Sequence, residues 1–364
     1  MTHRTQGWLI VAMLVCGCRP GVRGPAEAVI EGAYDTETRY TLQSEGTPLT
    51  SLASEWLDPV DAIESRVRSQ IGDQYGRTLQ RGYDELVRAT ARATLERAVR
   101  EEAPAWLTDI RPALATVDGQ LKRIDVSASL LISQPQAQRW TGRQMWQGIS
   151  VFRDPDCPTS TSLLCDQFHL SLADWTDAEF PLDVVSAEQS IRVQGDRITL
   201  ESHTVSLNYG RLGLFLLVDQ LLPQDGDEHV GLREVVLAAI NCRGLASRLG
   251  GSNGAWTLDI GGVEVGISLE DMIGTCEEGV FAEVNRVVDR FSIPMELDMA
   301  GTAQLVDTSR DGVIDQITRG NLGGQSELAL SSGVTQQAVD GQFIGFRVGD
   351  LGDDIEPTQP EGSP

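Results

Sequence analysis

The chain has 364 residues, 41% of them hydrophobic, and sets 53 acidic side chains against 29 basic ones for a formal net charge of −24. That balance disfavours DNA, RNA and anionic lipid as partners, because phosphate binding needs clustered cations; it favours solubility and the attraction of divalent cations. The hydrophobic content is ordinary for a globular chain, and the length allows two domains or one large sheet system.

The first residues carry one arginine, Arg4, and are followed by the unbroken hydrocarbon run Trp8 to Val15. A spanning helix needs about 20 apolar residues, so this run is too short to remain in a bilayer. A positive segment, an apolar core and a small residue before the cut describe a removable export signal. The run closes on Val15-Cys16-Gly17-Cys18. These four residues resemble the bacterial lipobox. The resemblance implies that residues 1–17 are a signal peptide, that the Cys18 thiol receives a diacylglycerol, and that the freed amino group of Cys18 is acylated in turn. Arg19 stands where an Asp favours retention at the inner membrane, so the implied address is the cell envelope, lipid-anchored, with the outer membrane favoured. Two or more acyl chains, at about 0.8 kcal/mol per buried methylene, anchor stably.

Residues 18–57 mix Pro, Gly, Glu, Thr and Ser with little periodicity, as in a flexible tether. Tyr34 to Leu42 is the one candidate strand there, placed at an edge. A single α+β body is expected over 58–349, helical over 58–104, mainly β over 122–218, and mixed over 230–349. Asp58 can cap a helix, Pro59 suits its first turn and Asp61 complements its positive end. From Ile63 to Val99 apolar residues recur at three- and four-residue spacing, the signature of a long amphipathic helix that Pro104 ends.

From Lys122 onward the pattern alternates. Strands are expected around Ile124–Leu130, Met145–Phe152, Phe168–Leu172, Ser190–Val193, Ile198–Leu207 and Leu212–Val218, with turn residues between them. Helical spacing returns at Leu232 to Ile240 and at Val280 to Phe291, with strands from Trp256 to Ile267 between. More strands follow at Met295–Val306, Val313–Thr318, Ser326–Leu330 and Phe343–Val348. Residues 350–364 form an acidic, proline-bearing tail expected to be disordered.

Cys157, Cys165, Cys242 and Cys276 remain beyond the lipobox, an even number that reads as a disulfide framework in an exported chain. Four thiols permit three pairings, and proximity favours Cys157–Cys165 and Cys242–Cys276. Zinc ligation usually shows a CxxC spacing, which these residues lack. The fold expected is therefore α+β: a long N-terminal amphipathic helix plus an antiparallel β-sheet, with a disulfide-stapled helix pair.

The sharpest local motif is Asp307-Thr308-Ser309-Arg310-Asp311-Gly312-Val313-Ile314-Asp315. It resembles the acidic calcium loops of EF-hand-like modules and dockerins. The resemblance implies side-chain or water-mediated oxygens from Asp307, Ser309, Asp311 and Asp315, and the carbonyl of Val313. Thr318 holds the position where an EF-hand places a bidentate Glu, so calcium binding is expected to be weak, with a dissociation constant of roughly 10⁻⁴–10⁻³ M. The same residues also suit a hairpin with Asp311-Gly312 as its turn. His169 and His203 lie in strand-like stretches, and there is no HExxH or GxSxG.

The role expected is that of a lipid-anchored envelope lipoprotein with non-catalytic structural or binding work, stabilised by weak calcium. Its partners are the membrane, through the N-terminal lipid, and an unknown protein or apolar ligand. The alternative is a carrier holding a lipid-like ligand in a helix–sheet groove lined by Leu212 to Leu222. A hydrolase whose residues meet only in the fold ranks behind both.

Overall fold

Alternation of apolar and polar side chains resolves into twelve strands among the described residues. The computed structural model describes residues 29–43, 48–102, 104–136, 139–154, 166–171, 181–186, 188–221, 231–250, 254–330 and 333–349. β1 (Gly32–Leu42), β2 (Arg123–Gln136) and β3 (Arg139–Phe152) come first, then the short β4 (Gln167–Ser171), β5 (Val185–Ser186) and β6 (Gln189–Gln194). β7 (Arg197–Asn208) precedes a hairpin of β8 (Ala255–Ile260) and β9 (Val263–Ser268). The long strands β10 (Pro294–Val306), β11 (Gln316–Leu330) and β12 (Gly333–Gly349) follow.

Eight of these close into a barrel in the order β1-β2-β3-β6-β7-β10-β11-β12, with β12 paired back onto β1 from Ala33↔Gly349 to Leu42↔Val339. Every pairing is antiparallel, and each barrel strand neighbours the next barrel strand along the chain, so the topology is up-and-down. β4 extends the edge of β3 and β5 that of β7. Inward side chains such as Tyr40, Val126, Leu130, Ile198, Val205, Leu297 and Phe343 are buried. Outward ones include Asp35, Glu37, Glu296, Asp298, Asp340 and Gln342. Strands that face hydrocarbon carry the opposite parity, apolar outward.

The expectation of an open sheet beside one long helix is corrected here. A period of two specifies which face of a strand is buried, but closure depends on β12 meeting β1 and β10 meeting β7, which no local pattern encodes. The segment expected to hold an edge strand within a tether instead supplies β1, hydrogen-bonded on both sides.

The helices come from two insertions, residues 43–122 after β1 and 209–293 after β7, which leave the barrel at the same end. The first holds a 3₁₀ turn (Thr50–Glu55), α1 (Pro59–Tyr75), α2 (Arg77–Gly82), a π turn (Tyr83–Val87), α3 (Arg88–Glu102), α4 (Ala105–Thr108) and α5 (Arg111–Gln120). The long N-terminal helix is therefore broken. Gly76, at φ +84°, ends α1 in a conformation that costs a side chain, and α3 folds back on α1. The hairpin is pinned where the buried carboxylate of Glu64 accepts from Arg88 (2.5 Å) and Arg92 (3.0 Å). Only Glu64 is buried, and the two arginines are part-exposed, so solvent screens these pairs and each contributes less than a fully buried ion pair would. Asp58 caps α1 as its position suggested, accepting from the Asp61 N–H at 3.0 Å.

The second insertion holds α6 (Tyr209–Leu221), α7 (Leu232–Ile240), α8 (Cys242–Gly250), the β8–β9 hairpin and α9 (Leu269–Arg290). Leu212 to Val218, expected as a strand, is the body of α6. A continuous apolar run carries no period of its own, and the Asn208 side chain starts the helix by accepting from the Arg211 N–H. Leu212, Leu214, Leu216, Leu217 and Val218 are all core residues. α9 crosses α1 at Gly279, where an added Cβ would lie 3.0 Å from the Ala62 carbonyl oxygen. Asp118 of α5 ties the first insertion together by accepting from the Leu49 N–H and from the Thr50 N–H and hydroxyl, at 2.7–2.9 Å.

The pair Cys242–Cys276 is disulfide-bonded, with Cα atoms 5.7 Å apart, joining the start of α8 to α9. Cys276 sits inside its helix rather than before it, because Ser268 caps α9 early by accepting from the Asp271 N–H. In the chain-entropy account a loop of 34 residues gives about 4 kcal/mol as an upper value.

Candidate functional site

The barrel end away from the helices is where the described chain begins, and its residues are fastened there. The Val29 N–H donates to the Gly312 carbonyl at 2.8 Å, and the Ile314 N–H donates to the Val29 carbonyl at 3.0 Å. These two bonds form a short parallel bridge between Val29 and Val313. The Tyr34 hydroxyl donates to the Ile30 carbonyl at 2.8 Å and lies 3.2 Å from the Ile314 carbonyl. Arg347 donates to the Tyr34 oxygen at 3.3 Å, and its backbone N–H reaches the Asp315 carbonyl at 2.8 Å. Burial pushes the Tyr34 phenol up, with Arg347 opposing. Ile30 and Ile314 are buried beside Tyr34 and plug this end.

The acidic loop from Asp307 to Asp315 builds half of this clasp. Asp307 accepts from the N–H groups of Arg310 (2.5 Å) and Gly312 (2.9 Å). Asp315 accepts from the N–H groups of Thr308 (2.7 Å) and Ser309 (3.1 Å) and from the Thr308 hydroxyl (2.6 Å). Those bonds hold its carboxyl below the usual carboxylate range. The Ser309 hydroxyl lies 3.2 Å from Asp307 and 3.3 Å from Asp315, while Asp311 turns to the Val313 N–H at 2.9 Å. Arg310 and Gly312 take left-handed backbone conformations, φ +63° and +90°. Of the residues expected as calcium ligands, the loop brings Asp307, Ser309 and Asp315 into contact, while Asp311 is turned to the Val313 N–H. Its carboxylates are occupied by the loop's own donors, and among the described residues no group of three or more His, Cys, Asp or Glu is placed to hold a metal ion.

His203 faces the barrel interior and is 5% exposed. Desolvation holds its imidazole below the usual histidine range. The gap beside it is bounded by Thr36, Thr38, Gln144, Gln189 and apolar neighbours, with no serine or carboxylate, and measures about 10 Å³. A single water needs at least that much, so no larger ligand fits.

His169 lies on the outside, its Nδ1 2.9 Å from the Ser150 hydroxyl. Cross-strand register places Arg39, Asp125, Ser150 and His169 in one row over β1 to β4. Asp125 is gripped by Arg39 at 2.7 and 2.8 Å. A nucleophilic triad needs the imidazole between serine and carboxylate. Here the serine is in the middle and the carboxylate is two strands from the ring, so the order is wrong for that chemistry.

The chain matches no family model, and no curated protein or solved structure is similar to it. Its function is therefore argued from its own residues. Two surface clefts of about 500 Å³ open elsewhere, one among helices beside Trp56, Val99 and Arg100, the other on the barrel flank beside Arg39, Asp340 and Gln342. Cys18, Cys157 and Cys165 lie outside the described residues, as does the tail 350–364.

Sequence reading missed Tyr34 and Arg347, which complete the clasp, and an outward row on β12. Ile344, Phe346 and Val348 are 38%, 47% and 56% exposed. A signal existed. The inward parity of β12 runs Val339, Gly341, Phe343, Gly345 and Arg347, so after Phe343 the large apolar side chains fall on the outward parity.

Proposed function

We propose that this protein is an exported, lipid-anchored envelope lipoprotein doing non-catalytic structural or binding work. The observation that carries the reading is the Cys242–Cys276 disulfide inside the helical insertion, since such bonds persist in oxidising compartments outside the cytosol. The lipobox-like Val15 to Cys18 supplies the anchor in this reading, and Val29, eleven residues beyond Cys18, is clasped at the barrel rim. A second proposal concerns weak calcium on the Asp307–Asp315 loop, supported by its acidic spacing and by Ser309 lying between Asp307 and Asp315.

Expression of the full chain in a bacterium fed labelled palmitate tests the main reading. Label on the wild type, lost in Cys18→Ser together with outer-membrane attachment, is the expected result. An unlabelled chain in the cytosol with Cys242 and Cys276 reduced would overturn it.

A further inference from the structure

We infer that the barrel rim bearing Ile344, Phe346 and Val348 docks on the surface of a bilayer rich in zwitterionic, amine-bearing phospholipid. The inference rests on the lipid-anchor reading above and adds which face of the body meets the membrane. Three large apolar side chains two residues apart on one strand point the same way, outward and into solvent. Among the described residues, the exposed Val334 at the far end of β12 and Val185 of β5 stand singly.

The row lies at the barrel end where Val29 is clasped. Arg347, between Phe346 and Val348, bonds Asp315, and the neighbouring Ile314 bonds Val29, itself 48% exposed. From Cys18 to Val29 the chain reaches at most about 40 Å when fully extended. Acyl chains on Cys18 therefore hold this rim within about 40 Å of the bilayer.

Charge selects the lipid. Across β1, Asp35 stands opposite Phe346 and Glu37 opposite Ile344, so carboxylates line the β1 side of the apolar row, while the exposed Arg319 sits in the β11 bulge on its other side. Phosphatidylethanolamine presents an ammonium group to the carboxylates, whereas a net anionic surface would be repelled.

The test places photoreactive benzoylphenylalanine at Phe346 or at Gln325. Gln325 is an exposed outward residue of β11, nearer the helical end of the barrel. Each full-length protein, purified from the membrane, is reconstituted in vesicles of phosphatidylethanolamine and phosphatidylcholine, and mass spectrometry reads both Cys18 and the adducts. Acylated Cys18 with several-fold more lipid adduct at 346 than at 325 is expected. Acylated Cys18 with equal adducts overturns the docking alone. So does cross-linking of 346 to residues 350–364 or to a second copy of the chain. Unacylated Cys18 overturns the lipoprotein reading and the docking with it.

Discussion

At the scale of single residues, His203 shows how the barrel interior sets chemistry. Its ring is out of water on the inward face of β7, where protonation would bury a charge with no carboxylate lining the adjoining gap. The folded-state pKa is depressed, so the unfolded chain takes up a proton at higher pH than the folded one. Stability tied to His203 is therefore intact above about pH 6.5 and falls as the pH drops below it toward the folded value. Thermal melts at about pH 7.5 and 5.5 should show a loss of stability in the wild type that is smaller in His203→Gln, which cannot titrate there. Equal losses in both proteins would remove the histidine from the explanation. His203 itself was visible as a strand residue in the sequence. Its burial was not, because parity within β7 does not say whether the inward face meets a packed interior or a solvated groove.

Among elements, the Asp307–Asp315 loop is the part whose motif was legible and whose work was not. The spacing of its acids announced a tight acidic turn, and the turn is there. What the acids touch was decided by Arg310 and Gly312 adopting left-handed conformations, which aim the loop's N–H groups at Asp307 and Asp315. Because hydrogen bonds depress the Asp315 pKa, the loop is held together above the unfolded carboxylate value of 3.8 and loosens as pH falls through the lower folded value. The calcium proposal belongs at this scale. Millimolar calcium should raise the melting temperature of the wild type and leave Asp311→Asn unmoved, as expected of a site with a dissociation constant of roughly 10⁻⁴–10⁻³ M. An unchanged wild-type melting temperature would leave the loop as a clasp for Val29 and nothing more. The helices divide in the same way. Asp58 with Pro59 marked the start of α1 correctly, and of the stripe Val280, Phe281, Val284, Val287, Val288 and Phe291 all but the half-buried Phe281 and Val288 are buried. The unbroken apolar run in α6 offered no period from which its helix could be read.

For the whole molecule, stability depends on closure. β1 lies between β2 and β12, and β12 between β1 and β11, so removing β12 leaves two long strand edges unpaired and uncovers Tyr34, Tyr40 and Leu322. Exposed edges of that kind template aggregation. A chain ended after Leu330 should lose the cooperative melt seen by circular dichroism and elute as aggregate on size exclusion. A truncated chain that stays monomeric and melts cooperatively would mean that the barrel tolerates opening. The strands between Trp256 and Ile267, most other strand positions and the pairing that proximity favoured, Cys242–Cys276, were legible in the sequence. Each rests on spacing within some tens of residues, where turn chemistry, periodicity and loop closure all act. Tertiary structure alone decided that the strands form a ring, that both helical insertions leave from one end, and that β1 is hydrogen-bonded on both flanks. Those facts depend on Ala33 meeting Gly349 and Asn208 meeting Pro294. Pairings between such distant segments are selected by the burial of a shared interior, a property of the assembled surfaces rather than of any one stretch of chain.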